Sequence, residues 1–286
     1  MPIQLIAMDI DGTLLDSQSQ LPPANAEAIG EAASRGIEIV IVTGRRFISA
    51  RMIAESLPCD AKLIVSNGAL VKSVSGETQL RCLLPAETAR KVLQETEEFR
   101  ALSAVIFDRP AENQVIFERV DWEGPFVGPY LRRHRSQVAE ITPLHSCLNG
   151  EDPVEVMFIG QCALVRAAMA KLDALDFRNE FALALTEYEH RQAAFLDVLQ
   201  SGVTKGAALA RWAEMRGIPR ENVMAIGDNW NDREMLEYAG LPVVMGNCVS
   251  ELKSLGWATT LSNDECGVAE AIRRHALRNG AGSAGK

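Results

Sequence analysis

Four acidic residues lie in two short segments of the chain, each directly after a run of apolar residues. Asp9 and Asp11 follow one such run, and Asp228 and Asp232 follow another. Carboxylates held close together repel, so either one of them is protonated or a cation lies between them. Mg²⁺ prefers oxygen ligands and often combines one or two carboxylates with water or substrate phosphate. The acids therefore favour a magnesium site, whereas Asp11-Gly12 taken alone is equally typical of a turn or a helix cap.

Residues suited to binding an anion follow other apolar runs. Thr43 and Gly44 come directly after residues 37–42, where a hydroxyl and the next backbone amides can bind an anion at a helix start. Lys205 begins a predicted helix at residues 205–216. Taken one at a time, such a threonine is commonly a cap and such a lysine is commonly a solvated surface residue.

The apolar runs are the strands that must position these side chains. Residues 3–8, 37–42, 62–66 and 223–226 are short and apolar, and predicted helices lie between them. This alternation predicts an α/β fold with a doubly wound parallel sheet, that is, a Rossmann-like core. Ligand sites in such sheets form at the carboxyl ends of the strands, so we expect the polar residues to converge there.

The pattern changes after Asn67-Gly68 to a hairpin followed by mixed helices and strands. We predict that residues 84–188 form an inserted α+β cap domain. The core is then discontinuous and consists of residues 1–83 and 189–278. The glycine- and alanine-rich residues 279–286 are predicted to be a disordered tail.

Composition and charge exclude several classes of protein. The 286 residues include 29 Lys and Arg against 38 Asp and Glu, a net charge of −9. Such a chain lacks the cations that bind nucleic acid or an anionic membrane surface. We expect no secretory signal and no membrane span. None of the six cysteines forms a Cys-x-x-Cys pair, which predicts free thiols in a cytoplasmic protein, with disulfides or a catalytic cysteine as the alternatives.

Taken together and in order, the motifs resemble a known family. Asp-x-Asp-Gly-Thr, Thr-Gly, a lysine at a helix start and Gly-Asp-x-x-Asn-Asp are similar to the motifs of the haloacid-dehalogenase-like hydrolase superfamily. The insertion after Ser66-Asn67-Gly68-Ala69 resembles the class IIB cap of the Cof-type phosphatases. Met245-Gly246-Asn247 and residues 264–269 resemble the C-terminal pattern of that subgroup. The resemblance covers about 180 residues on both sides of the cap.

The resemblance implies a role for each acid. Asp9 would be the nucleophile that attacks a phosphate monoester. Asp11 would protonate the leaving alcohol and then deprotonate the attacking water. Mg²⁺ would be bound by the side chains of Asp9 and Asp228 and by the backbone carbonyl of Asp11.

The resemblance also implies a phosphate site built from four residues: Thr43, Gly44, Lys205 and Asn231. Asp232 would orient either the waters of the metal or Lys205. Arg45, which follows the phosphate loop in sequence, and Asn67, at the junction with the inserted domain, are candidate substrate contacts. Trp230 within the last motif would either pack on the following helix or line the active site.

The predicted function is a Mg²⁺-dependent phosphatase of small phosphorylated metabolites, such as sugar phosphates, without nucleic-acid or membrane partners. A phosphotransferase or phosphomutase on the same scaffold would pass the phosphoryl group to a sugar instead of water. A catalytically silent metabolite-binding regulator is a third alternative. The motifs indicate neither a particular leaving group nor a particular oligomeric state.

Overall fold

The computed structural model describes residues 2–110, 112–124, 128–188 and 192–277. These residues form two compact units. One unit runs from the N-terminal segment to Arg81 and resumes at Thr204, and the other lies between Cys82 and Val203. The predicted tail at residues 279–286 lies outside the described residues.

Strands form a separate sheet in each unit. In the described residues the strands are β1 Leu5–Met8, β2 Glu38–Val42, β3 Lys62–Val65, β4 Leu70–Ser73, β5 Thr78–Arg81, β6 Ser103–Ile106, β7 Val115–Phe117, β8 Val138–Glu140, β9 Glu155–Gln161, β10 Phe181–Tyr188, β11 Ala193–Gln200, β12 Val223–Gly227, β13 Leu241–Val244 and β14 Ala258–Thr259.

Helices connect most of these strands. In the same residues the α-helices are α1 Pro23–Ser34, α2 Phe47–Ala54, α3 Ala86–Glu95, α4 Gly128–Arg133, α5 Cys162–Asp173, α6 Lys205–Met215, α7 Arg233–Tyr238, α8 Ser250–Lys253 and α9 Gly267–Ile272. No helix in the described part of the chain is both long and apolar enough to cross a membrane.

The first unit contains the predicted parallel sheet. Its strand order is β14-β13-β12-β1-β2-β3-β4-β5, with β4 and β5 antiparallel to their neighbours. β1 lies between β12 and β2, and Leu5 is in register with both Val223 and Glu38. The carboxyl ends of β1, β2 and β12 therefore lie at one edge of the sheet, as predicted, and the α/β fold class is confirmed.

Both faces of this sheet are covered, which explains why its strands are continuously apolar. Every residue of β1 is buried. On one face Leu5 and Ala7 pack in a cluster with Leu209 and Trp212 of α6 and Met235 of α7. On the other face α1 packs against β2 and α9. Burial on both faces makes β1 a rigid base for the loop that follows it.

The second unit is a six-stranded sheet with helices packed on one face. Its order is β10-β11-β9-β6-β7-β8, and all pairs except β7–β8 are antiparallel. Val92 of α3 and Val165 of α5 pack with Val156, Phe158 and Leu196 of the sheet. The inserted α+β unit is thus present.

The end of the inserted unit differs from the predicted boundary at residues 188 and 189. β11 lies after that boundary, yet it pairs with β10 from Ala193 to Gln200 and with β9 on its other edge. A strand hydrogen-bonded on both sides is part of its sheet, so the unit continues to Val203. The first boundary, at Cys82, lies two residues before the predicted one.

A buried asparagine fixes the loop after β1 to the helical layer. Asn25 of α1 is fully buried. Its Nδ2 donates to the carbonyl of Leu14 at 3.1 Å, and its Oδ1 accepts the N–H of Ala269 at 3.0 Å. Ala269 lies in the first turn of α9, where backbone N–H groups have no partner within the helix. One side chain therefore satisfies two buried backbone groups.

Asn25→Ala should destabilise the protein, because it leaves the Leu14 carbonyl and the Ala269 N–H buried without these partners. The expected loss in the free energy of unfolding is on the order of 2 kcal/mol, measured by urea denaturation. Ser34→Ala, an exposed position on the same helix, should change it by less than about 0.5 kcal/mol. Equal stability of both variants would contradict this role for Asn25.

Candidate active site

Asp9 is held at the end of β1 with its side chain buried. Its N–H donates to the carbonyl of Ile226 at 3.1 Å, which extends the β1–β12 pairing by one residue. The side chain is only 8% exposed, and its Oδ1 lies 2.7 Å from Nζ of Lys205. The fold thus brings a carboxylate and an ammonium group together from positions 196 residues apart.

Lys205 is the first residue of α6. The side chain of Thr204 caps this helix by accepting the N–H of Ala207 at 3.1 Å, which is the role that favours threonine at this position. The lysine side chain is 1% exposed, and its ammonium group donates to Asp232 Oδ1 at 2.7 Å as well as to Asp9. A buried ammonium ion needs such charged partners.

Asp232 uses both of its oxygens. While Oδ1 accepts from Lys205, Oδ2 accepts the backbone N–H groups of Asp228 at 3.0 Å and Asn229 at 3.1 Å. These bonds close the turn between β12 and α7. Asp232 therefore ties the Asp228 loop to Lys205, consistent with the predicted orienting role.

Asp228 is held by the loop that follows β1. The hydroxyl of Thr13 donates to Asp228 Oδ1 at 2.7 Å. Gly12 has a φ of +80°, and a Cβ at this position would lie 2.3 Å from Asp228 Oδ2. Only glycine satisfies both constraints. The motif glycine is thus explained by the close approach of a carboxylate.

Three of the acids form a cluster that fits a cation. Carboxylate oxygens of Asp9, Asp228 and Asp232 all lie within 4.8 Å of one another. An all-oxygen donor set of this kind suits Mg²⁺. Of the predicted metal ligands, Asp9 and Asp228 are in the cluster, and the predicted contribution of Asp11 through its carbonyl stays a prediction.

Electrostatics within the cluster agree with a site for a cation. Burial, together with repulsion from Asp232 and Asp11, raises the pKa of Asp9 to about 7 even though Lys205 opposes the shift. Burial and the neighbouring Asp232 and Asp9 raise the pKa of Asp228 as well. A bound cation would reverse both effects, because it favours the ionised carboxylates.

Lys205 remains charged in this environment. Burial alone would lower the pKa of its ammonium group, but the charges of Asp232 and Asp9 outweigh burial and raise the pKa above its ordinary value. The lysine is therefore a fixed positive charge beside the Asp9 carboxylate at every physiological pH.

Asp11 points to a different partner. Its carboxylate forms a two-pronged ion pair with Arg45, with Nε 2.8 Å from Oδ2 and Nη2 2.6 Å from Oδ1. Such paired bonds fix the plane of a carboxylate. The guanidinium group of Arg45 thus binds a predicted catalytic acid, and the predicted contact of Arg45 with substrate stays a prediction.

The Thr43-Gly44 loop is held by its own hydroxyl and by residues after β3. Thr43 Oγ1 accepts the N–H of Arg45 at 3.1 Å, and the Thr43 carbonyl accepts the N–H of Asn67 at 3.1 Å. A Cβ on Gly44 would lie 3.0 Å from Asn67 Oδ1. Asn67 adopts a φ of +51°. The structure thus brings Asn67 beside the predicted phosphate loop.

Asn231 and Trp230 lie in the turn before α7. Asn231 is half-buried and immediately precedes Asp232. Trp230 is 49% exposed, and the guanidinium group of Arg233 stacks 4.9 Å from the centre of its ring. Contact with the following helix, one of the two alternatives for Trp230, is therefore present.

The structure adds Thr13 and Asn247 to the predicted site residues. Thr13 binds Asp228, and Asn247 Nδ2 donates to the carbonyl of Gly12 at 2.8 Å. Both belong to motifs that the resemblance included, so their positions were marked in the sequence although their partners were not. The partner of Asn247 is 235 residues away.

The raised pKa of Asp9 predicts how metal-free protein responds to pH. Because the folded state holds this proton up to about pH 7 and the unfolded state loses it near pH 3.8, Asp9 destabilises the fold as pH rises through that interval. Asp9→Asn removes the ionisation. In the presence of a chelator, this variant should be more stable than wild type by an amount that grows from pH 5 to pH 8, up to roughly 4 kcal/mol in the free energy of unfolding. Melting temperatures measured at each pH should show this growing difference.

The control for this measurement is Asp60→Asn. Asp60 lies outside the acid cluster and has a 73% exposed side chain, so Asp60→Asn shows how much of any difference comes from removing one exposed carboxylate. A difference between wild type and Asp9→Asn that was the same at pH 5 and pH 8 would contradict the electrostatic account of the cluster.

Comparison with known proteins shows the family of this chain. The chain matches the haloacid dehalogenase-like hydrolase family over residues 6–272. It is 31% identical to the 5-amino-6-(5-phospho-D-ribitylamino)uracil phosphatase YcsE of Bacillus subtilis, covering 96% of both chains. It is 28% identical to the pyridoxal phosphate phosphatase YbhA of Escherichia coli, covering 97% of this chain and 100% of the relative.

A solved structure gives the same result for the fold. A haloacid dehalogenase-like hydrolase from Bacteroides thetaiotaomicron superposes with a TM-score of 0.79 at 25% identity, over 95% of this chain and 99% of the other. The predicted class of enzyme, a phosphoric monoester hydrolase, is confirmed by the family and by these phosphatases. The family match over nearly the whole chain, joined to the acid cluster at the carboxyl ends of β1 and β12, establishes that this chain belongs to the haloacid dehalogenase-like hydrolases.

Proposed function

We propose that this chain is a Mg²⁺-dependent phosphatase that hydrolyses small phosphate monoesters through a phosphorylated Asp9. The observation that carries the proposal is the Asp9 carboxylate, bound by Lys205 at 2.7 Å within the acid cluster. The relatives named for pyridoxal phosphate and for a ribitylamino-uracil phosphate support a small phosphorylated metabolite as substrate. Sugar phosphates and related esters are the proposed class.

In the first step a carboxylate oxygen of Asp9 attacks phosphorus in line with the leaving alcohol. A bond forms between Asp9 and phosphorus while the ester P–O bond breaks. Asp11 donates a proton to the departing oxygen, which leaves as an alcohol. Lys205 remains beside Asp9 and offsets the charge of the transferred phosphoryl group.

In the second step water attacks the phosphorylated Asp9. The ionised Asp11 accepts a proton from this water, a new P–O bond forms, and the bond to Asp9 breaks. Inorganic phosphate leaves, and the Asp9 carboxylate is regenerated. Asp11 has then both given and received one proton, so the cycle closes.

The metal would be bound by the side chains of Asp9 and Asp228 and by the carbonyl of Asp11. When bound it would neutralise the charge that otherwise opposes attack of a carboxylate on a phosphate. Asp232 would hold Lys205 and the Asp228 loop in place. The residues fit this role because their oxygens cluster and because the pKa values of Asp9 and Asp228 are raised without a cation.

The phosphoryl oxygens would be bound by Thr43, the Gly44 amide, Lys205 and Asn231. Asn67, packed beside Gly44, is a further candidate contact for the substrate. A predicted cytoplasmic location agrees with a diffusible metabolite as substrate.

A panel of phosphate esters tests the proposal. With Mg²⁺, wild type should release inorganic phosphate from several small esters without any acceptor sugar, and a chelator should abolish the release. Asp9→Asn should lower kcat by at least about 10³-fold, because the amide cannot act as the nucleophile. Asp60→Asn, at an exposed site, should retain wild-type kcat.

Two results would overturn the proposal in different ways. Turnover by Asp9→Asn close to the wild-type rate would exclude Asp9 as nucleophile. Phosphate transfer only in the presence of an acceptor would favour the phosphotransferase or phosphomutase alternative, and folded protein without activity on any ester would favour the regulator.

The Arg45–Asp11 ion pair predicts a dependence on the leaving group. Arg45→Met frees the Asp11 carboxylate from its fixed orientation. Esters with a poor leaving group, such as alkyl phosphates, need the proton from Asp11, whereas 4-nitrophenyl phosphate does not. We expect kcat to fall roughly 10-fold or more for the alkyl esters and much less for the aryl ester, since positioned proton transfer contributes about 10²–10⁴-fold.

Arg51→Met is the matched control, because Arg51 is a surface residue of α2 paired with Glu55. It should leave both substrates unaffected. A rise in KM of equal size for both esters, without a change in kcat, would show that Arg45 binds substrate and does not orient Asp11.

A further inference from the structure

The loop after β13 holds the loop after β1 through the side chain of Asn247. Its Nδ2 donates to the carbonyl of Gly12 at 2.8 Å, and its Oδ1 accepts the N–H of Asn263 at 2.9 Å. The amide is therefore engaged at both ends, which fixes its orientation. Neither of its partners belongs to the acid cluster, so Asn247 has no direct contact with the reacting groups in these bonds.

A second asparagine and an aspartate bind the loop after β1 further along the chain. Asn263 Nδ2 donates to the carbonyl of Leu15 at 2.9 Å, and Asp264 Oδ1 accepts the N–H of Ser17 at 2.8 Å. Three side chains from the loops after β13 and β14 thus bind backbone groups of residues 12–17. This segment is the continuation of the chain immediately beyond Asp9 and Asp11.

The carbonyl that Asn247 binds belongs to the peptide that contacts Asp228. This peptide joins Gly12, whose Cα lies against the Asp228 carboxylate, to Thr13, whose hydroxyl donates to Asp228 Oδ1. A shift of the peptide would therefore move the groups that set the position of the Asp228 carboxylate.

The same loop also binds the backbone of Asp228. The N–H of Val249, two residues after Asn247, donates to the Asp228 carbonyl at 3.0 Å. The loop after β13 is thus bonded to the Gly12 peptide on one side and to Asp228 on the other. It bridges the two segments that carry Asp9 and Asp228.

We infer that Asn247 is a positioning residue for the metal site. By holding the Gly12 peptide at a fixed distance from Asp228, it sets the spacing of the Asp9 and Asp228 carboxylates and so the affinity for Mg²⁺. This inference rests on the proposed function only in its assignment of Mg²⁺ to the acid cluster. Residues that orient metal ligands from outside the ligand set change affinity by roughly 10–100-fold when removed.

The test is the Mg²⁺ dissociation constant of the full-length chain, measured by calorimetric titration without substrate. Asn247→Ala should bind Mg²⁺ roughly 10–100-fold more weakly than wild type. Asn222→Ala is the matched control: Asn222 also donates a side-chain amide bond, to Gln4 at 3.1 Å, but at the opposite ends of β1 and β12. It should bind Mg²⁺ as wild type does, even if its melting temperature falls.

Asn247→Asp separates positioning from charge. It keeps an oxygen for the Asn263 N–H but loses the donor to Gly12. An added negative charge by itself strengthens attraction for a cation, so weaker binding by this variant would isolate the lost bond to Gly12. If Asn247→Ala does not fold, this variant decides the question.

The outcomes distinguish this inference from the proposed function. Wild-type affinity in folded Asn247→Ala overturns the inference, and so does unweakened binding by Asn247→Asp when only that variant folds. Loss of folding in both variants also overturns it, because Asn247 would then determine folding rather than metal affinity. Absence of Mg²⁺ binding by wild type overturns the metal assignment of the proposed function and the inference with it. Binding by wild type without hydrolysis of any ester overturns only the proposed function.

Discussion

The site depends on a close group of three carboxylates and one ammonium ion, in which Asp9, Asp232 and Lys205 are buried and Asp228 is half-buried. With Asp9, Asp228 and Asp232 ionised and Lys205 charged, this group carries a net charge of −2. Isolated charges of this kind are expensive to bury, and one lysine compensates only part of the repulsion. Burial and the repulsion that Lys205 does not compensate raise the pKa values of Asp9 and Asp228. One divalent cation would balance this charge. The proposed attack of a carboxylate on a phosphate requires the same cation.

Three features of the fold make this concentration of charge possible. β1 is buried on both faces and ends at Met8, directly before Asp9, the proposed nucleophile. The backbone N–H of Asp9 still bonds to Ile226 of β12, and its side chain is buried. Gly12 admits the Asp228 carboxylate where any side chain would collide with it. Asp232 is bound by two backbone N–H groups besides Lys205. The acidic balance of the whole chain, −9, therefore says little about a site where a bound ion would dominate the local field.

Much of this could be predicted from the sequence, because the informative residues are local. Asp9, Thr43 and Asp228 each follow an apolar run, and the carboxyl ends of parallel strands meet at one edge of the sheet. What could not be predicted depends on partners distant in the chain. Nothing near Arg45 indicates that it binds Asp11, and nothing near Asn247 indicates the carbonyl of Gly12. The end of the inserted unit was misplaced for a similar reason, since only the pairing of β11 with β9 and β10 shows which sheet it joins.

The proposed function requires that protons held by the acid cluster are replaced by one Mg²⁺ ion. Its most direct test is the number of protons released when Mg²⁺ binds, obtained by calorimetry at one pH in buffers with different ionisation enthalpies. Below the pKa of Asp9, at pH 6, binding of one Mg²⁺ per chain should release protons, and the number released should fall toward zero well above pH 7. Binding at pH 6 without proton release, or the same release at every pH, would contradict the account.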